Sequence, residues 1–410
     1  MNMTNLISAT TMLCCATWAA AAEVTAVSPD GTRPVSQEVK TLGIHVDRPG
    51  HPINPTQYGV FFEEISHGGE GGLYAELVKN RSFEDSTDSI PDWKFYTADS
   101  ARGGIALETS DLLNAAQSQA LKLELSVSGT AGVANGGYWG INVVKGRTYD
   151  LSFFAKTALP KDATLTARLQ NADGTVTYAT RVFKRLAPGW RKYAGKITAQ
   201  ANDPKGRLAL EVTSARPGTL WLDVVSLFPP TWKGRPNGAR PDVAELIARM
   251  KPQFIRLPGG SYVSTLPAAS PRWLNELGPI EERPGHPALG RTNPWGYHNN
   301  DGFGFHEYLQ FAEDLGAEPI YVFQGGADPN SDLGKPESFF AGGALDQLIQ
   351  EILDGIEYAN GNRATKWGAK RTANGHSRPF GMKYEMSAVA SLRSCTSTQA
   401  VRLFRECPTY

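Results

Sequence analysis

The sequence predicts an α/β chain in which a parallel, helix-covered sheet is interrupted early by an antiparallel β-sandwich. Three observations point there. After Pro230, segments of helical period precede short apolar strands: DVAELIARMKP before QFIRLPGG, FHEYLQFAEDLG before EPIYVFQGG, and ALDQLIQEILDGIEYAN before RPFGMKYE. Between about Ser86 and Pro230 nearly every segment reads as a short strand, bounded by turn signals such as Asp173-Gly174, Pro188-Gly189 and Pro217-Gly218. Ahead of that stretch stands TQYGVFFEEISHGGEGG, a strand of buried character running into a Gly-rich loop.

Residues 1–22 read as a secretory signal, with an apolar run from Leu6 to Trp18 and small residues Ala19 to Ala22 before Glu23, although no Lys or Arg precedes the run. Cleavage near Ala22 removes Cys14 and Cys15, and no cysteine follows until Cys395. A secreted or periplasmic protein without a disulfide framework is therefore expected. Residues 23–40 are a polar, flexible lead, and TLGIHVD (Thr41 to Asp47) alternates like a short strand.

Residues 41–85 carry the first core strand, Tyr58–Glu63, its loop, and a helix over LYAELVKN (Leu73 to Asn80), where apolar residues recur at helical spacing. Residues 86–230 form the sandwich, with strands in ALKLELSVSG, TYDLSFFAKT, ATLTARLQNADG, TVTYATRVF, KYAGKITA, RLALEVTS and TLWLDVVSLF. Residues 231–385 add core strands at Phe254–Leu257, Ile320–Phe323 and Met382–Glu385. Four core strands are half of what an eight-stranded barrel needs. From Met386 to Tyr410 the texture changes: no Gly, Lys or Trp, but Cys395 and Cys407.

The charge balance narrows the partners. Lys+Arg and Asp+Glu number 41 each in 410 residues, so no long-range field draws nucleic acid or an anionic membrane. A neutral polymer suits this balance. His67, His298, His306 and His376 show no metal-ligand spacing, so no metal and no cofactor are expected. HGGEGG lacks the Lys-Ser/Thr of a phosphate loop, and GxSxG is absent.

Candidate residues lie at strand ends, which face the active site in a parallel barrel. Glu63 and Glu64 end the first strand, and alternation sends one inward and the other outward. Arg256 sits in an apolar strand before Pro258-Gly259-Gly260 and needs an anionic partner. Trp295 and Tyr297 stand among amides in NPWGYHNNDGFG, a composition suited either to sugar stacking or to loop packing.

YGVFFEEISHGGEGGLYAELVKNRSFE resembles the opening signature of the glycoside hydrolase family 51 α-L-arabinofuranosidases. IRLPGGSYV, GPIEERPGH, WGYHNNDGFGFHEYLQFAEDLGAEPIYV and TKWGAKRTANGHSRPFGMKY follow in that family's order. The insert is similar to carbohydrate-binding-module sandwiches. The resemblance implies the first half of a (β/α)8 TIM barrel, no cofactor, and retaining hydrolysis of α-L-arabinofuranosyl groups on arabinan or arabinoxylan. It also implies that Glu63 binds the sugar hydroxyls, Arg256 steadies the nucleophile, Ser261 lies near the substrate and Trp295 lines the pocket.

The family continues from its Lys-Tyr into Gly-Asn-Glu, whose Glu is the acid/base, where this chain reads KYEMSAVASL. Glu385 matches the residue before that tripeptide, so neither catalytic glutamate is assigned. The expectation is a truncated or frameshifted, inactive chain lacking the C-terminal β domain. The alternatives are a surviving carbohydrate-binding module without catalysis and a related retaining glycosidase such as a xylosidase.

Overall fold

A computed structural model describes residues 43, 47, 50–98, 100–263, 273–286, 295–326 and 341–388, with the backbone alone at Ser261, Ser387 and Ala388. Every element belongs to one compact unit that begins at Asn54. The predicted signal and lead, the strand over 41–47 apart from Gly43 and Asp47, and the tail beyond Ala388 lie outside the described residues.

The chain opens on β1 (Val60–Phe61) and passes at once into the sandwich. One sandwich sheet has the order β10-β7-β12-β4-β3, built from β10 (Arg191–Thr198), β7 (Thr148–Thr157), β12 (Gly218–Phe228), β4 (Ala120–Val127) and β3 (Arg102–Glu108). The other has the order β2-β5-β11-β8-β9, built from β2 (Trp93–Ala98), β5 (Gly129–Asn135), β11 (Asp203–Ser214), β8 (Thr164–Gln170) and β9 (Thr177–Phe183), with β6 (Ile141–Val143) also on β11. Alternation turns Leu121, Leu123 and Leu125 of β4, Tyr149, Leu151 and Phe153 of β7, and Leu208, Leu210 and Val212 of β11 into one shared core. Each such side chain contributes roughly 1.5–3 kcal/mol when fully buried.

After the sandwich the chain adds β13 (Phe254–Leu257), β14 (Glu318–Gln324) and β15 (Tyr384–Ala388) to β1, giving a parallel sheet ordered β1-β13-β14-β15. The helices are α1 (Pro241–Arg249), α2 (Gly260–Val263), α3 (Phe305–Leu315), α4 (Gly343–Asn360) and α5 (Lys366–Ala373). Phe61 pairs with Arg256, Arg256 with Ile320, and Ile320 with Tyr384, so these four share one face of the sheet. The opposite face carries Ile255, Leu257, Tyr321 and Phe323, which join Phe305, Tyr308, Leu309 and Ile352 of the helices in a second core. The first face is open: Phe61 is 55% and Tyr384 52% exposed.

Three expectations are corrected. The first core strand is only Val60–Phe61, not Tyr58–Glu63. The changed texture at Met386 does not end the fold, because β15 runs on through Ala388 and pairs with β14 to Gln324. No helix forms over Leu73–Asn80: beyond a single turn at Gly69–Leu73 the chain is irregular and turns again from Lys79, with Asn80 at φ +49°. Leu73, Tyr74, Ala75, Glu76 and Val78 are all buried, so the segment has no solvent face for an amphipathic helix to present. Instead it crosses into the sandwich beside the returning strand, with Tyr74 bridged to Ala239 and the Leu77 N–H donating to the Leu227 carbonyl at 3.2 Å. Glu76 fixes the crossing, its Oε1 accepting from the N–H groups of Leu77, Val78 and Leu227 at 2.9 Å each. The sandwich thus sits between β1 and α1 rather than after a first helix.

Candidate functional site

Parallel strands release their chains on one edge, and Glu63 emerges there two residues beyond Phe61, on the open face. The pairing outlasts the strand itself, since the N–H of Phe62 donates to the Arg256 carbonyl at 2.9 Å and that of Glu64 to Pro258 at 3.4 Å. Glu63 is half-buried, and its Oε1 has no hydrogen-bond partner among the described residues. Burial raises its pKa, opposed by the positive charge of Arg256. Its carboxyl lies against Gly259, where φ is +120° and a Cβ would fall 2.5 Å from the Glu63 Cγ. Only glycine allows both that backbone and that approach.

Arg256 shares the open face. Its guanidinium lies 4.4 Å from the Phe61 ring centroid, and its Nε donates to the Met386 Sδ at 3.2 Å. The anionic partner expected for it is present as the neighbouring charge of Glu63, which opposes the lowering of the arginine pKa by burial. There is no direct ion pair between the two. Arg256 is only partly buried, so water relieves the cost that the apolar strand sequence suggested.

Glu64 faces the other way. It is fully buried, accepts from the Glu70 N–H at 3.2 Å and from the Tyr297 hydroxyl at 3.3 Å, and is held well above the usual carboxylate range by burial and then by Glu70. Tyr297 also receives the His67 N–H at 2.9 Å and stacks on the His67 ring at 3.9 Å. Ser261 lies in α2, directly after the Gly259 turn. Trp295 packs on Tyr262 and Val263 of that helix and on Val322 of β14. Tyr262 is pinned in turn, its hydroxyl donating to Asp301 Oδ1 at 2.9 Å, while His286 Nδ1 meets the same atom at 2.8 Å. The structure thus gathers Glu63, Arg256, α2 and Trp295 along the ends of β1, β13 and β14.

Glu385 pairs with Tyr321, which puts it on the helix-covered face, opposite Arg256. Its Oε2 is buried without a partner among the described residues, and burial raises its pKa. Sequence reasoning missed the buried charges that support the site. Glu70, at about 7 through burial opposed by Arg81, accepts from the Asn300 N–H at 3.0 Å. Arg283 pairs with Glu307 at 2.8 Å. Glu276 is pushed up to about 8 by burial and the Asp301 charge. Nothing in local sequence separates these from solvated charges. The described residues contain no cluster of three or more His, Cys, Asp or Glu able to hold a metal ion.

Comparison with known proteins decides what this arrangement descends from. The model of the alpha-L-arabinofuranosidase 1 domain matches residues 246–387, and that of a carbohydrate binding domain matches residues 75–217. The chain is 36% identical to alpha-L-arabinofuranosidase 1 of Arabidopsis thaliana over 349 residues, covering 82% of this chain and 49% of that protein. The chain belongs to glycoside hydrolase family 51. It is also 38% identical to an extracellular exo-alpha-L-arabinofuranosidase of Streptomyces chartreusis, over 84% of this chain and 42% of the relative. Among solved structures, the arabinose-bound MgGH51 α-L-arabinofuranosidase aligns at a TM-score of 0.73 and 32% identity, covering 82% of this chain and 54% of that one. This family 51 chain spans about half the length of the relatives it matches.

Proposed function

We propose that this chain provides the sugar-binding side of an extracellular α-L-arabinofuranosidase that removes terminal arabinofuranosyl groups from arabinan or arabinoxylan by a retaining route. In this reading the parallel sheet is the first half of a (β/α)8 barrel, and its open face is the barrel interior. The observation that carries it is Glu63, half-buried at a strand end, with an unpartnered Oε1 lying against Gly259 and Arg256 on the same face. A carboxylate held this way accepts hydrogen bonds from sugar hydroxyls, each worth about 1.5–3 kcal/mol when charged. Arg256 supplies positive charge to the nucleophile, Ser261 lies beside the sugar, and Trp295 gives an apolar wall for its C–H face. The acid/base and nucleophile are assigned to no described residue, and Glu385 takes neither role because it faces the helices.

The test is a calorimetric titration of the chain with L-arabinose. Binding that Glu63→Gln weakens at least about tenfold, the lower end of one charged hydrogen bond, supports the reading. Equal affinity in both proteins overturns it.

A second reading, glycan binding by the sandwich alone, draws on the row of side chains across its second sheet. The Tyr96 hydroxyl donates to Glu211 at 3.0 Å, and Arg168 Nε donates to the same carboxylate at 2.6 Å. Oligosaccharide binding abolished by Tyr96→Ala and indifferent to Glu63→Gln would favour it.

A further inference from the structure

One turn of the sandwich reaches the functional site. Between β5 and β6 the sequence GGYWG carries Gly137 at φ +65° and Gly140 at φ +99°. These left-handed glycines turn the chain sharply enough to present two aromatic rings side by side. Tyr138 lies over Gly71, where a Cβ would come 2.6 Å from its ring, and edge-on to His67 at 5.2 Å. Trp139 follows, also edge-on to His67 at 6.2 Å, yet 59% exposed. His67 is the residue that stacks on Tyr297, and the Gly68 beside it approaches the carbonyl of Glu63, 2.8 Å from where its Cβ would stand. His67 is thus the ring shared between Tyr297, stacked on it, and Trp139, edge-on to it.

The turn is held firmly. The Gly137 N–H donates to Asn135 Oδ1 at 2.9 Å, the Lys205 ammonium donates to the Trp139 carbonyl at 2.8 Å, and the position of a Gly140 Cβ is closed off by Lys205 at 2.8 Å. An indole this exposed, on a backbone this constrained, is a poor core residue and a good flat platform. Aromatic faces pack against the C–H faces of sugar rings, and a platform with little freedom to lose binds at small entropic cost.

We propose that Trp139 is a stacking subsite for a sugar of the polymer that carries the arabinosyl group, donated by the sandwich to the rim of the parallel sheet. This rests on the reading of Glu63 as the arabinosyl-binding carboxylate. The sandwich then sets how the enzyme holds the remainder of its substrate, rather than serving as a separate anchor.

The experiment titrates the full chain, and its Trp139→Ala, Trp139→Tyr and Glu63→Gln variants, with L-arabinose and with an arabinosyl-substituted xylo-oligosaccharide, alongside circular dichroism to establish folding. Trp139→Ala should weaken oligosaccharide binding about tenfold, the scale of one lost aromatic contact. It should leave L-arabinose affinity unchanged within about twofold, since tenfold is already 1.4 kcal/mol. Trp139→Tyr should recover most of the loss. Oligosaccharide affinity indifferent to Trp139→Ala overturns the subsite, and so does equal weakening towards both ligands. Trp139-dependent oligosaccharide binding without any L-arabinose binding keeps the subsite and overturns the arabinosyl reading of Glu63. Binding of neither ligand by the unaltered chain overturns both.

Discussion

Glu63 and Gly259 form one unit, because the carboxyl occupies space that any other residue at 259 would fill. Gly259→Ala should cost about 1–3 kcal/mol of stability from its left-handed backbone. It should also lower L-arabinose affinity about tenfold or more by displacing the carboxyl, the size of one charged hydrogen bond. Thermal unfolding and calorimetry separate the two effects, and unchanged affinity would dissociate Gly259 from the site. Arg256→Ala removes the one charge that opposes burial at Glu63, so the Glu63 pKa should move further up. Carboxyl-carbon NMR titration reads this directly, and a downward or absent shift would contradict the geometry. A third residue sets a pH dependence of stability. The folded pKa of Glu276, about 8, lies above its ordinary value of 4.5, so the folded state binds the extra proton between those limits. Its stabilising contribution is complete below about pH 4.5 and is lost as pH rises through 8. Glu276→Gln should flatten the alkaline decline in urea midpoint, and a decline of unchanged slope would assign it to other groups.

At the scale of elements, the crossing segment Leu73–Asn80 depends on a buried ion pair. Glu76 and Arg81 are each 2% exposed, 3.4 Å apart, and Glu76 also satisfies three backbone donors. Glu76→Ala should destabilise the chain by about 3–5 kcal/mol, because the buried Arg81 loses its ion-pair partner and three backbone donors lose their acceptor. Urea denaturation measures this, and a loss under about 1 kcal/mol, typical of exposed pairs, would show that water reaches the site. The same segment marks where sequence reading succeeds and fails. TYDLSFFAKT spells β7 because its inward residues Tyr149, Leu151 and Phe153 alternate with outward ones. LYAELVKN has the spacing of a helix and forms none, since its side chains are divided between two cores and its donors are taken by Glu76. GGIALE of β3 and GTAGVAN of β5 are strands too, but glycine and alanine give them a weak alternation that pattern alone passes over. Glu63 and Arg256 were legible as polar residues at apolar strand ends. Trp139 was not, since its relation to His67 exists only after the sandwich has folded back on the sheet.

For the whole molecule, the two cores differ in closure. The sandwich encloses its apolar residues between two sheets, whereas the parallel sheet leaves Phe61, Tyr384 and Met386 open on one face and ends at the two-residue β1. Hydrogen exchange should therefore be slowest in β7, β11 and β12 and fastest around β1, following the order of local stability. Limited proteolysis should leave a resistant fragment near residues 86–230. Survival of the region 231–384 in its place would count against this division. The two parts are nonetheless coupled: Asn114 donates to the Glu281 carbonyl at 2.7 Å, Lys192 pairs with the Glu281 carboxylate at 3.0 Å, and the chain entering the sandwich is held by His298 meeting Glu84 at 3.2 Å and the Asn300 amide donating to Ser82 at 2.7 Å.

The position of the insert has a consequence for the order of assembly. Val60 pairs with Ile255, and the whole sandwich is synthesised between them. At about 5–20 residues per second, β1 waits roughly 10–40 s on the ribosome for its neighbour. The entry and exit of the sandwich lie side by side, with the Ala75 N–H donating to the Gly238 carbonyl at 3.2 Å and that of Arg240 to Leu73 at 2.8 Å. Once the sandwich has closed, a very long connection behaves as a short one, which lowers the entropic cost of joining β1 to β13 by about 2 kcal/mol. The module that carries Trp139 is thereby also a folding clamp, bringing the neighbouring strands β1 and β13 within reach of each other before either has a partner.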